Sequence, residues 1–213
     1  MQSIIVIACL SLGLLVCTEP AIAQKEYPLT VSIHEQVRPK LTEKIVKGIL
    51  ERASKLLTVR SKCGVTFKLN GPIKSFAPGT PNIISTEDQL EAVHREAADV
   101  KVVSTITFCK KDSTFIGCAW RRHGPKTIIV TQRLLAVRHI LWTHEFGHTT
   151  GLQHRADVGV LMTPCDLALS NVEINQDECN CFLAGPGGCQ IPEPDSEVVC
   201  TENQRNLGRR AEQ

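Results

Sequence analysis

Apolar and polar positions alternate from Leu29 to His34, with Leu29, Val31 and Ile33 set against Thr30, Ser32 and His34. That period predicts a half-buried strand. Beyond it the period lengthens: Ile45, Val46, Ile49, Leu50, Ala53, Leu56 and Leu57 fall on one stripe of a helix, with Thr42 placed as its N-cap. Alternation returns at Val65, Phe67 and Leu69 and stops at the Asn70-Gly71 turn, after which Pro72, Pro78, Gly79 and Pro81 read as a loop. Thr86-x-x-Gln89 has the form of a capping box and opens a short helix with Leu90, Val93 and Ala97 turned inward. Residues 100–108 predict a strand with Val100, Val102, Ile106 and Phe108 on one face, followed by two short β runs at Phe115–Trp120 and Lys126–Thr131. A helix is expected from near Gln132, with Leu135, Ile140 and Leu141 on its apolar side. The pattern then loosens until Asn175-x-x-Glu178, a second capping box, opens a helix toward Leu183 that Gly185-Pro186 stops. This order predicts an α+β fold in which the helix after Gln132 packs on a sheet, and the second half is mostly irregular.

That helix carries His144-Glu145-Phe146-Gly147-His148-Thr149-Thr150-Gly151-Leu152-Gln153-His154, an HExxHxxGxxH string. His144 and His148 lie four residues apart, so a helix projects both from one face, where they can share a metal. Glu145 points about 100° around the axis. If the helix continued, the backbone of His154 would lie roughly 15 Å beyond that of His144. Zinc–nitrogen bonds of about 2.0–2.1 Å cannot span that gap. The chain must therefore turn back, and Gly151 stands where a residue of positive φ would end the helix. The plainer readings are scattered surface histidines or a structural zinc. A structural zinc usually closes its shell with four protein ligands, mostly Cys and His; three His with a non-ligating Glu leave one position open, which is the catalytic pattern.

Composition adds a compartment. Met1–Ala23 holds an apolar run from Ile4 to Val16 and then Ala21-Ile22-Ala23, the form of a secretory signal peptide cleaved before Gln24. The run is shorter than the roughly 20 residues of a membrane span, and no membrane anchor is expected. Export to the secreted or periplasmic space implies an oxidising compartment. Without 1–23 the cysteines are Cys63, Cys109, Cys118, Cys165, Cys179, Cys181, Cys189 and Cys200, which fits up to four disulfides in a connectivity that spacing does not choose. Cys179-Asn180-Cys181 leaves open a cysteine-based metal site. The charge is near balance, 24 Lys and Arg against 22 Asp and Glu, so nothing points to nucleic acid. Residues 24–189 are expected to form one domain and 190–213 a tail.

The 144–154 string, together with Leu161-Met162-Thr163-Pro164 downstream and the element order, resembles the metzincins, a superfamily of zinc endopeptidases. The resemblance covers about residues 27–184. Phe146-Gly147 and the Met-x-Pro run are most similar to matrixins, whereas Arg155 stands where matrixins usually carry Ser. The only tyrosine is Tyr27, so none follows Met162. Cys63-Gly64-Val65 invites comparison with the matrixin cysteine switch, but lacks its flanking residues and sits inside the expected domain, where a disulfide is the simpler reading.

The resemblance implies a zincin-like fold, with a twisted, mostly parallel sheet, a backing helix and an active-site helix above an irregular, disulfide-stapled C-terminal part. It further implies one catalytic Zn2+ held by His144, His148 and His154, with Glu145 as general base. Met162, supported by Pro164, would form a Met-turn floor beneath the ligands, and residues 163–166 would wall the pocket beyond the scissile bond. The expected activity is peptide-bond hydrolysis, with a protein or peptide as partner. The strand near Phe115–Trp120 is either an edge on which an extended substrate adds or an ordinary edge strand. The alternative from another class is a secreted, disulfide-rich zinc-binding protein that cleaves nothing.

Overall fold

Thr30 divides the first strand of the chain in two. Its N–H and hydroxyl both donate to the Asp99 carboxylate at 2.7 Å, replacing a ladder bond with a side-chain one. The computed structural model describes residues 24–109, 117–119, 127–132, 136–155, 157, 159–163 and 169–189. Before the break, β1 (Lys25–Leu29) pairs in parallel with β3 (Val65–Leu69). After it, β2 (Val31–Ile33) lies between β4 (Lys74–Ser75) and β6 (Val100–Val103), parallel to both. β6 continues in parallel to β9 (Ile128–Thr131), and the antiparallel β8 (Gly117–Ala119) ends the five-stranded order β4-β2-β6-β9-β8. A separate parallel pair joins β5 (Ile83–Ile84) to β7 (Thr105–Ile106). Four α-helices lie among the described residues: α1 (Glu43–Lys55), α2 (Glu87–His94), α3 (Arg138–Thr150) and α4 (Gln176–Ala184).

The two sheet faces bury different clusters. Val100, Val102, Ile128 and Val130 meet Val46, Ile49, Leu50 and Ala53 of α1 and Ile140, Leu141 and Phe146 of α3. On the opposite face Val103 and Ile129 join Leu90 and Val93 of α2, with Ile84, Ile106 and Cys118. Cover on both faces explains why every residue of β2, β6 and β9 is buried, including Ser32, expected on a solvent face, whose hydroxyl bonds the Lys74 carbonyl. It also buries Lys101 of β6, whose ammonium donates to Thr127 Oγ1 at 3.2 Å; burial lowers its pKa to about 8, against the pull of Asp99 and then Glu96.

Several boundaries differ from the sequence pattern. The strand expected over 100–108 breaks at Ser104, whose N–H is taken by the side chain and carbonyl of Asn82, so β7 turns to β5 within what read as loop. α2 ends at His94, which leaves Ala97 exposed rather than inward. Thr86 does cap α2, but Gln89 reaches Ser85 instead of closing the box on Thr86. Thr42 caps α1 as expected, and Asn175 and Glu178 form a full capping box on α4. α3 begins at Arg138, later than expected. Leu135, Trp120, the 1–23 segment and the 190–213 tail lie outside the described residues.

Disulfides join Cys63 to Cys179, Cys109 to Cys118 and Cys181 to Cys189. Cys179 and Cys181 thus go to different partners, which removes the cysteine metal site left open above, and Cys63 is no switch cysteine. α4 is also held to β1 by Lys25 Nζ and the Tyr27 hydroxyl, which donate to the Leu183 and Phe182 carbonyls at 2.6 and 2.7 Å. None of the helices described is long and apolar enough to cross a membrane.

Candidate metal centre

Nearly every residue of α3 is buried, because the helix is wedged between the sheet, α1 and α4. A helix so enclosed fixes the directions of its side chains. His144 and His148 are 5% and 4% exposed and stand one turn apart on the same face. The helix ends at Gly151, in the left-handed region at φ +104°. Gly151 N–H donates to His148 O at 3.1 Å and Leu152 N–H to Gly147 O at 3.2 Å, the paired bonds of a Schellman cap. A Cβ on Gly151 would also run into the Cys189 carbonyl. The reversal brings His154 back over the helix.

The three imidazoles converge. His148 Nε2 lies 3.1 Å from His144 Nε2 and 3.0 Å from His154 Nε2. Tetrahedral ligands with zinc–nitrogen bonds of about 2.0–2.1 Å would stand about 3.3 Å apart, so the spacing fits one ion after a small expansion. The other ring nitrogens carry the sharper test. His144 Nδ1 faces the Leu161 carbonyl and His148 Nδ1 the Leu152 carbonyl, each at 2.8 Å. A carbonyl only accepts, so both Nδ1 atoms donate, which leaves Nε2 of each ring as the atom able to ligate a metal. A backbone carbonyl behind each ring is the usual arrangement around a metal-bound His. Among the described residues, these three histidines are the one group placed to hold a metal ion.

Two glycines make room for neighbours. Gly147, inside the motif, lies so near Met162 that a Cβ there would come within 2.7 Å of the Met162 sulfur. Met162 is fully buried, and its carbonyl accepts from Arg155 N–H at 2.9 Å, so this turn meets both the helix and the return segment. Gly117 of β8 faces Glu145, and a Cβ on Gly117 would collide with that carboxylate. Glu145 itself is 5% exposed. The sequence offered a signal for this slot, since Gly inside a strand pattern marks close approach.

Leu161 and Leu152, which orient the rings through their carbonyls, carry no side-chain signal and were not foreseen. Glu178 was read as a capping residue alone, yet it lies 3.3 Å from Arg155 Nε. Burial raises its pKa, while the Asn175 N–H and the Arg155 charge oppose the rise. Pro164 lies outside the described residues.

Over 61 residues the chain is 39% identical to interstitial collagenase from Equus caballus and 38% identical to that from Bos taurus. Each match takes in 27% of this chain and spans only 13% of the collagenase. Among solved structures it aligns with archaemetzincin from Methanopyrus kandleri at 18% identity and a TM-score of 0.45, over 90% of this chain and 97% of that one. No protein-family model matches the sequence.

Proposed function

We propose that the protein is an exported, zinc-dependent metalloendopeptidase. The reading rests on one observation above the rest: three Nε2 atoms converge with their partner Nδ1 positions on His144 and His148 already committed to backbone carbonyls. His144, His148 and His154 would hold the ion. Zinc bound there would supply Lewis acidity and acidify water to a pKa of about 7. Glu145, one residue from the first ligand, takes a proton from the attacking water and passes it to the leaving amine. The missing Cβ of Gly117 leaves the room that the carboxylate occupies. Among the described residues β8 ends its sheet, with β9 on one side, and its other side is where an extended peptide would add as a further strand. The short likeness to collagenases agrees with a peptide substrate, and the disulfides with an oxidising compartment.

Glu145→Ala tests the assignment. Hydrolysis of a denatured protein substrate should fall by about 10²–10⁴-fold while zinc stays bound. A variant that keeps its hydrolytic rate refutes the role given to Glu145.

A further inference from the structure

His154 differs from the other two ligands in what holds it. It sits past the helix, on the return segment, so helical geometry does not aim it. Its neighbour Arg155 is tied at both ends. The Arg155 N–H donates to the Met162 carbonyl at 2.9 Å, and its guanidinium Nε lies 3.3 Å from Glu178 Oε1 and 3.4 Å from Asp157 Oδ2. The two acidic contacts are unequal. The Asp157 side chain is 71% exposed, where water and salt screen it, while that of Glu178 is 4% exposed. Glu178 is itself fixed: its Oε2 accepts Asn175 N–H at 2.9 Å and its own N–H donates to Asn175 Oδ1 at 2.8 Å. Cys179, the next residue, is bonded to Cys63 at the foot of β3.

We propose that the Arg155–Glu178 ion pair is a positioning device for the third metal ligand, registering His154 against the stapled helix α4. Glu178 is buried while the Arg155 side chain is 29% exposed, so the pair adds little net stability, but a Glu178 carboxylate parted from Arg155 would be left uncompensated in the interior, which is costly. The chain therefore resists any slide of the return segment that would part Arg155 from Glu178, and His154 moves with Arg155. The function of Arg155 is to narrow the positions open to the His154 ring, so that less order must be imposed when the ion binds. This inference rests on the zinc reading above.

The test measures zinc affinity of the full chain by chelator competition, with Co2+ absorption as a second readout. Arg155→Met should weaken zinc binding about tenfold, the low end for groups that orient ligands, and shift the Co2+ spectrum as His154 loosens. Glu178→Gln keeps the Asn175 N–H acceptor, hence the helix cap, and should weaken binding in the same direction. Arg155→Lys should recover most of the loss. The double variant should bind no worse than Arg155→Met, since the pair acts as one unit. Variants that match the wild type in zinc affinity and Co2+ spectrum, losing only thermal stability, overturn the proposal. So do additive losses. A wild-type chain that binds no zinc refutes the metal reading itself and this inference with it.

Discussion

The two histidines on α3 and the third beyond it are placed by different means. His144 and His148 inherit their directions from a buried helix and need only a backbone carbonyl behind each ring. His154 is half-buried and follows a glycine reversal, beside the Arg155–Glu178 ion pair and the disulfide-anchored helix α4. The helical part is enclosed by the sheet, α1 and α4, and His144 Nδ1 reaches the Leu161 carbonyl, 17 positions along the chain. Helical geometry aims two of the histidines, and ties beyond the helix hold the third.

The largest expected effect breaks the helical side. Gly117→Val would push a side chain into the space of the Glu145 carboxylate. A displacement of about 1 Å in a catalytic group can cost about 10²-fold, so kcat should fall by at least that while zinc content is unchanged. Equal kcat in the variant would show that β8 does not shape the site.

Gly151→Ala attacks the junction of the two parts. The left-handed conformation and the Cys189 carbonyl both oppose a Cβ, and the loss of stability should be about 1–3 kcal/mol, read by denaturant unfolding. Zinc affinity should fall further than unfolding alone explains, because the reversal aims His154.

The last effect lies outside both parts, on β6, and touches no hydrolytic rate. Lys101 has a folded pKa of about 8, below its unfolded value, so the unfolded chain binds its proton more tightly. Its contribution to stability therefore rises as pH increases from about 8 to about 10.4 and is flat beyond. Lys101→Met should remove that rise in a series of urea titrations and leave the metal site untouched. A rise that persists in the variant assigns it to another group.

What the sequence made legible follows the same division. Alternation and capping residues located α1, β3, α2 and α4, because each rests on neighbours a few residues apart. The motif picked out the three histidines that the structure brings together and the helix stop at Gly151. Hidden were β4 and β5, two residues each, whose partners lie distant in sequence. The break at Ser104 was hidden too, since Asn82 causes it. The Arg155–Glu178 pair spans 23 positions and leaves no periodic trace. Glu178 announced only its local job.

If one zinc on His144, His148 and His154 performs hydrolysis, metal analysis of the purified chain beside a peptide-cleavage assay, before and after chelation, should show it. One zinc per chain is expected, with cleavage lost on chelation and restored by one equivalent of zinc. Cleavage indifferent to the chelator, or zinc bound in full with no cleavage, would contradict it.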